Sequence, residues 1–231
     1  MKFKKPNFNF KREKKGQSLI ELTMVLVLLL TLLTGMVEFG NLLNQYVNIV
    51  DGAREGARFG SNYDPFIRVV TAACPTPPCY NLVDQGIFTS IDQIIEGATD
   101  DLGNRDPQAT GAIAPLKLNP LVGDDVVISF FGISNGKVLR FPAAFPYGYS
   151  YYLDYKKMAI PRNKSQFSDT ALQARMVSGA PDTGMLLVEI FYHYNQLLKF
   201  YKFLGLPDPI SLSTYAIMPL SAAEPTPTVV P

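Results

Sequence analysis

The strongest constraint on this chain is an apolar run near its N-terminus. The segment Leu22–Val37 contains sixteen residues without a charge, and Leu19, Ile20 and Phe39 extend it to about twenty apolar positions. A helix of that length crosses a hydrocarbon core of roughly 30 Å. Residues 26–30 are apolar on every helical face, whereas a soluble amphipathic helix keeps one polar face. The sequence therefore predicts one membrane-spanning helix, with the lipid bilayer as a partner.

The distribution of charge orients this helix. Residues 1–15 carry seven Lys and Arg side chains and a single acidic residue, Glu13. The whole chain has 21 cationic and 20 acidic residues, so the part after residue 15 has a net charge of −5. A basic segment directly before an apolar span marks the cytoplasmic side. We expect a cell-membrane (inner or plasma membrane) protein with a cytoplasmic N-terminus, an extracytoplasmic C-terminal domain and no nucleic-acid partner.

Cleavage as an ordinary secretory signal is the alternative to a retained span. The apolar run is long for a signal peptide, and no small-x-small site directly follows it. No cysteine follows the run at the position that lipoprotein processing requires. These features favour a helix that stays in the membrane.

The junction between the basic tail and the span reads KKGQSLIE at residues 14–21. It resembles the processing site of type IV prepilins, in which a membrane peptidase cuts after a glycine and a glutamate lies five residues beyond the cut. The resemblance implies that a prepilin peptidase cleaves between Gly16 and Gln17 and leaves the apolar helix in place. Gln17 departs from the Phe or Met that is common at the new N-terminus of major pilins. Glycine suits a scissile bond because it permits an extended or positive-φ backbone.

Glu21 lies at the edge of the predicted span, where a carboxylate without a partner is costly. The resemblance to prepilins implies that Glu21 pairs with the N-terminal amine of a neighbouring subunit and sets the register of adjacent helices. The alternative is a carboxylate that faces water in the headgroup layer.

Two further motifs follow, VEFG at residues 37–40 and AREGARFG at residues 53–60. Together with GQSLIE and the Leu-rich span, they resemble the TadE-like family, which are pilin-related membrane proteins of tight-adherence (Flp pilus) systems. The resemblance covers residues 16–60 and implies other pilin-like or pilus-assembly subunits as partners. The motif residues after the uncharged run are Glu38, Phe39, Gly40, Arg54, Glu55 and Arg58.

A strip of small residues marks the end of the same helix. No proline interrupts residues 17–64, so one helix of about forty residues, on the order of 60 Å, is predicted. Glycines at positions 52, 56 and 60 share a face because they are four residues apart. The strip comprises Gly52, Ala53, Gly56, Ala57 and Gly60. We expect it to pack against the protein's own exported sheet, and the alternative is the helix of another subunit.

The two cysteines, Cys74 and Cys79, are five residues apart in a proline-rich loop. In an oxidising exterior this spacing predicts a local disulfide. His193 is the only histidine, so a zinc site would lack ligands. We therefore predict neither a metal nor a cofactor.

The exported part shows mixed helix and strand patterns. The sequence predicts an amphipathic helix within residues 80–103 that ends near Gly103, a strand at Val126–Ile133, a type I′ turn at Asn135-Gly136, a short helix at residues 169–177 and a strand at residues 184–194. The aromatic, proline-rich stretch 141–164 is either a contact surface or a loop folded over the domain's own core.

No catalytic residue is predicted. The chain lacks the nucleophile-elbow, phosphate-loop, zinc-protease and dinucleotide motifs. The adjacent pairs Asp100-Asp101 and Asp124-Asp125 are expected to be solvated caps at turns. Glu189 and His193 would lie about 13 Å apart on one strand face, which is too far to pair. We therefore expect a protein that is not an enzyme.

These features predict an α+β fold, in which a long, pilin-like transmembrane helix continues into an exported domain with an antiparallel sheet. The predicted organisation is a basic leader (1–16), a transmembrane helix (17–40), an exported helix extension (41–60), an α+β domain (61–220) and a disordered Pro-rich tail (221–231). The expected role is a structural pseudopilin or minor pilin of a tight-adherence pilus or secretion system. The alternative is a membrane-anchored extracellular binding or adhesion domain that is not cleaved and enters no filament.

Overall fold

The described residues form one long helix, two shorter α-helices, a main antiparallel sheet and two small two-stranded sheets. The computed structural model describes residues 15–76, 79–99, 105–106, 116–134, 136–141, 143–176, 183–199, 202, 205 and 207–220. The helices are α1 (Lys15–Ser61), α2 (Gln85–Glu96) and α3 (Asp169–Arg175). The strands are β1 (Phe66–Ile67), β2 (Cys79–Val83), β3 (Ala98–Thr99), β4 (Arg105–Asp106), β5 (Asp125–Ser134), β6 (Lys137–Phe141), β7 (Tyr149–Ser150), β8 (Thr183–Tyr194) and β9 (Ile210–Leu220). The expected α+β class, with a long apolar N-terminal helix and an antiparallel sheet, is confirmed.

Helix α1 has 47 residues, which corresponds to a length of about 70 Å. It is the one helix among the described residues that is long and apolar enough to cross a membrane. The hydroxyls of Thr31 and Thr34 donate to carbonyls four residues back, so these polar groups are satisfied within the helix. The large apolar side chains between residues 19 and 33 are exposed, and lipid can cover them. A turn at residues 62–63 and then Pro65 end the helix.

The main sheet has the strand order β6-β5-β8-β9, and β7 adds a short pairing to β5. Every pairing in this sheet is antiparallel. Strand β8 is central, because its residues pair with β5 on one side and with β9 along their full length on the other. The alternating side chains of β8 therefore contribute to both faces: Leu186, Val188 and Ile190 belong to the main core, and Leu187 belongs to a smaller cluster with Phe131 and Phe167.

The C-terminal half of α1 (residues 38–61), called its outer half below, packs on this sheet. Ile49, Ala53 and Ala57 are fully buried, together with apolar residues of α2 and β8. Helix α1 and strand β8 run in opposite directions, because Gly60 faces Leu186 whereas Gly52 faces Ile190. Strand β8 therefore runs back toward the apolar half of α1 and ends beside it.

The predicted helix at residues 80–103 is shorter than expected. Residues 79–83 instead form β2, which pairs with β1, and the helix begins after Asp84, whose carboxylate accepts from the Gly86 N–H at 2.9 Å. Gly97, with φ +86°, ends α2, so the expected end near Gly103 is wrong. Gly103 itself lies outside the described residues. A periodic pattern of apolar residues did not reveal that its first part pairs as a strand.

The aromatic stretch 141–164 folds over the domain's own core. Tyr149 and Tyr151 are buried, and Tyr151–Tyr155 form one π-helical turn. The rings of Phe88 and Tyr149 stack with centroids 4.0 Å apart. Packing within the domain therefore describes Tyr149, Tyr151 and Tyr152, whereas Tyr147 is about half exposed.

The remaining expected elements agree closely with the structure. Strand β5 and strand β8 extend the predicted segments by one or two residues, and α3 is two residues shorter than expected. Ser134 pairs with Lys137 across the predicted turn, where Gly136 has φ +70°. Asn135, residues 1–14 of the predicted leader and the predicted tail 221–231 lie outside the described residues.

The tight contact between α1 and the sheet predicts a large effect of one methyl group. A Cβ atom at Gly60 would lie 2.6 Å from Leu186 Cδ2 and 2.7 Å from Ile91 Cδ1, and both side chains are fully buried. Gly60→Ala should lower the free energy of unfolding by about 1–3 kcal/mol, despite the better helix propensity of alanine. Urea unfolding of the full chain in detergent micelles measures this change.

Gly40→Ala is the matched control, because a Cβ at Gly40 would meet nothing within 4 Å. It should leave the free energy of unfolding unchanged or raise it by up to about 1 kcal/mol. Equal destabilisation by both variants would contradict the packing described for the outer half of α1.

Candidate functional site

The clearest polar site lies where the apolar half of α1 meets the main sheet. Glu38 is the first charged residue after the uncharged run, and its side chain is fully buried. Its carboxylate accepts three hydrogen bonds: from the Tyr194 hydroxyl at 2.7 Å, from the Leu197 N–H at 2.8 Å and from the Leu198 N–H at 2.6 Å. This one side chain therefore connects the helix to the end of β8 and to the segment that follows it.

Local structure on both sides presents these donors to Glu38. Tyr194 is the last residue of β8, and its hydroxyl oxygen also accepts from Asn41 Nδ2 at 2.9 Å, one helical turn beyond Glu38. The buried side chain of Gln196 shapes the following segment, because its Nε2 donates to the Pro207 carbonyl at 3.0 Å and its Oε1 accepts from the Lys202 N–H at 3.0 Å. These bonds hold the chain in a turn that directs two successive N–H groups at Glu38.

A buried carboxylate with three donors is a strong, directional contact. Hydrogen bonds to an ionised group are shorter and stronger than neutral ones, and leaving a buried donor unsatisfied costs about 1–3 kcal/mol. Burial, together with the bond donated to Glu38, raises the pKa of Tyr194 to about 12. The phenol therefore stays protonated and remains a donor at neutral pH.

The small-residue strip lies against the protein's own domain. Cβ atoms added at Gly52 and Gly56 would lie 2.9 Å from side-chain atoms of Leu116 and Ile95, respectively. Ala53 and Ala57 are fully buried beside them. The structure thus places the whole strip in an intramolecular contact with α2, β8 and the segment before β5.

The other motif residues lie at the surface of α1. Arg58 pairs with Glu55 at 2.9 Å, and Arg54 lies 3.7 Å from Asp51, so these charges form pairs along the surface of α1. Phe39 is half exposed, and Gly40 has open space around it. Within the motif VEFG, Glu38 therefore points into the domain, whereas Phe39 and Gly40 face outward.

The predicted leader site is separate from this junction. Gly16 and Gln17 lie in the first turn of α1, and Glu21 is exposed one turn later. Seventeen residues of helix, about 26 Å, separate Glu21 from Glu38. The structure therefore does not bring these two glutamates together.

Cys74, in the loop after β1, forms a disulfide with Cys79, the first residue of β2. Both cysteines follow α1 in the chain and precede α2. The disulfide closes the loop between the two strands and contributes no group to the junction.

The expectation of solvated carboxylates is wrong for Asp124 and Asp125, which are both buried. Asp124 Oδ1 accepts from the His193 N–H at 2.7 Å and lies 3.0 Å from His193 Nδ1. Asp125 Oδ2 accepts from the Ser150 hydroxyl at 2.6 Å. Pairing of β5 with β8 and β7 brings these partners from distant parts of the sequence, which local turn chemistry did not reveal. Asp100 and Asp101 lie outside the described residues.

The arrangement provides structural hydrogen bonds and ion pairs. Asp154 accepts two bonds from Arg162, and Glu189 Oε1 accepts from the Gln166 N–H at 2.8 Å. In the part of the chain that the structure describes, no group of three or more His, Cys, Asp or Glu side chains could hold a metal ion. Asp154 and Glu189 thus each bind a residue of the segment between Tyr155 and α3.

The fold and junction define a class of protein, in which the one described helix that is long and apolar enough to span a membrane also serves as a core helix of an α+β domain. The family model described as TadE-like protein matches residues 16–58, which lie entirely within α1. The resemblance to TadE-like proteins, a family associated with Tad pili, is confirmed for this helix. No curated protein and no solved structure matches the chain.

The sequence indicated Glu38 as a motif residue but did not reveal its hydrogen-bond partners. Tyr194, Leu197 and Leu198 are more than 150 residues away in sequence. The available signal was the position of an acidic residue directly after sixteen uncharged ones, where a carboxylate needs partners.

Loss of the Glu38 carboxylate should loosen the segment after β8. Glu38→Gln keeps the shape of the side chain, but its amide has one acceptor atom for donors that converge from Tyr194, Leu197 and Leu198. We expect faster hydrogen exchange at the Leu197 and Leu198 amides and a free energy of unfolding lower by about 1–3 kcal/mol. Hydrogen–deuterium exchange of the full chain in nanodiscs measures the first effect directly.

Glu55→Gln is the control, because Glu55 pairs with Arg58 at the helix surface. A surface pair of this kind contributes less than about 1 kcal/mol, so the amides after β8 should exchange as in the wild type. Unchanged exchange in Glu38→Gln would show that the carboxylate does not hold this segment.

Asp125 should give the protein a measurable dependence of stability on pH. Burial raises the pKa of Asp125 to about 6, although the Ser150 hydroxyl and backbone N–H groups oppose the shift. The native state therefore binds a proton that the unfolded chain releases, and this carboxyl destabilises the fold as pH rises from about 4 to about 6. Asp125→Asn should be more stable than the wild type above pH 6, by on the order of 1–3 kcal/mol, with the difference shrinking toward pH 4. Urea unfolding of both proteins across this pH range, under otherwise identical conditions, tests the difference. A constant difference would contradict the raised pKa.

Proposed function

We propose that this chain is a pseudopilin or minor-pilin-like structural subunit of a tight-adherence (Flp-type) pilus assembly or secretion system. A prepilin peptidase removes the leader by cutting between Gly16 and Gln17. The mature subunit keeps α1 as its membrane anchor and carries its α+β domain outside the cell membrane. Other pilin-like subunits are its assembly partners.

The observation that carries this proposal is the division of α1 into two environments. Its first half is exposed and apolar, and its second half is the central helix of the folded domain. Removal of residues 1–16 would shorten the helix by its first two residues and leave the domain contacts intact. This arrangement suits a subunit that is stored in a membrane and later packs its apolar helix against other such helices.

The exposed half also explains why Glu21 matters in this proposal. A carboxylate near the start of an apolar helix is costly in lipid, and the new amine at Gln17 of a neighbouring subunit is a cation at the matching end. The pair would favour one axial register between neighbouring helices. Glu21→Gln should therefore reduce incorporation of the subunit into assemblies, while anchoring in the membrane is retained.

The N-terminal mass of the isolated protein tests processing. Co-expression with a prepilin peptidase should give a new N-terminus at Gln17, because Gly16 leaves the peptide bond accessible to the enzyme. Gly16→Trp should keep the intact leader under the same conditions. Glu21→Gln serves as a second sample, which separates loss of assembly from loss of cleavage.

An intact leader in the presence of active peptidase would overturn the processing step. It would leave an uncleaved, membrane-anchored binding or adhesion domain as the function to examine. Cleavage without incorporation into any assembly would instead retain the pathway and reject the structural role in a filament.

A further inference from the structure

Two adjacent leucines are exposed at the membrane end of the domain. Leu197 is 65% exposed and Leu198 is 48% exposed, although their N–H groups are fixed by hydrogen bonds to Glu38. Large apolar side chains on a well-held turn gain free energy when an apolar phase covers them. The apolar phase that can cover Leu197 and Leu198 depends on their position relative to the apolar half of α1.

The bonds to Glu38 fix the depth of these leucines along the helix. The uncharged run of α1 ends at Val37, and Glu38 follows it by one residue, about 1.5 Å along the helix axis. The N–H groups of Leu197 and Leu198 lie 2.8 and 2.6 Å from the Glu38 carboxylate. Their side chains therefore lie at the level where the hydrocarbon of the bilayer gives way to its headgroups.

Cationic side chains follow the leucines directly. Lys199 and Lys202 are exposed, and no salt bridge engages them among the described residues. Lysine next to apolar residues is typical of segments that lie in a membrane interface, because the ammonium group reaches the lipid phosphates while the stem stays in the apolar layer. Charge and hydrophobicity thus indicate the same surface.

We propose that Leu197, Leu198, Lys199 and Lys202 form a juxtamembrane loop that inserts into the surface of the phospholipid bilayer crossed by α1. The two leucines enter the boundary between headgroups and acyl chains, and the two lysines contact lipid phosphates. This second attachment fixes the rotation and tilt of the domain on the membrane, which a single helix leaves free. It depends on anchoring by α1 and not on leader cleavage or filament assembly.

A single-tryptophan experiment tests this contact, because the chain contains no tryptophan. The full-length variant Leu198→Trp is reconstituted in liposomes at a low protein-to-lipid ratio. The control is Val70→Trp, since Val70 is 69% exposed and follows the far end of α1, which lies about 35 Å along the helix from Glu38. Both positions are exposed, so both variants are expected to fold.

The Leu198→Trp emission should shift to the blue and fall about twofold when the lipids carry bromine near the glycerol end of their chains. Val70→Trp should emit as in water and remain unaffected by brominated lipid. Adding Lys199→Glu and Lys202→Glu to Leu198→Trp should weaken the quenching, because the acidic side chains repel the phosphates.

Two outcomes would overturn the proposal. Water-like emission from Leu198→Trp, equal to that of Val70→Trp, would show that the loop stays in solution. A blue shift that is insensitive to brominated lipid and grows with protein density would show that a neighbouring subunit covers the leucines instead.

Discussion

The structure depends on a carboxylate that is buried where a membrane helix becomes the core of a folded domain. Glu38 accepts hydrogen bonds from a tyrosine hydroxyl and from two backbone N–H groups of the segment after β8. The same residue marks the end of the uncharged run. A charged group that is unfavourable in lipid is thus placed at the first position where protein donors are available to it. The position of this carboxylate therefore marks the boundary between the apolar part of α1 and the folded domain.

The two halves of α1 meet different physical requirements within one helix. The inner half has large aliphatic side chains that face outward, which suits lipid or the helices of other subunits. Between residues 52 and 60 the strip of glycine and alanine replaces them, so that α2 and β8 approach the helix backbone closely. Sequence composition therefore changes from bulky to small where the helix packs most closely against the protein's own domain.

The sequence predicted the local and periodic features of this chain well. The span, the continuous helix, β5, β8 and the α+β class all follow from apolar patterns and turn residues that act over short distances. The partners of Glu38, Asp124 and Asp125 could not be predicted, because they are contributed by strands and loops far apart in the chain. The helix predicted within residues 80–103 began too early for a related reason, since strand pairing between β1 and β2 overrides the helical periodicity there.

The antiparallel course of α1 and β8 has a mechanical consequence. The outer half of the helix and the central strand lie side by side in opposite directions, with Gly60 at Leu186 and Glu38 at Tyr194. A force that pulls the far end of the domain away from the membrane acts along this contact, so it slides the two elements past each other. Sliding strains the glycine contacts and the Glu38 hydrogen bonds at the same time, whereas peeling would break them one after another. The geometry therefore distributes tension between the anchor and the domain over the whole length of their contact.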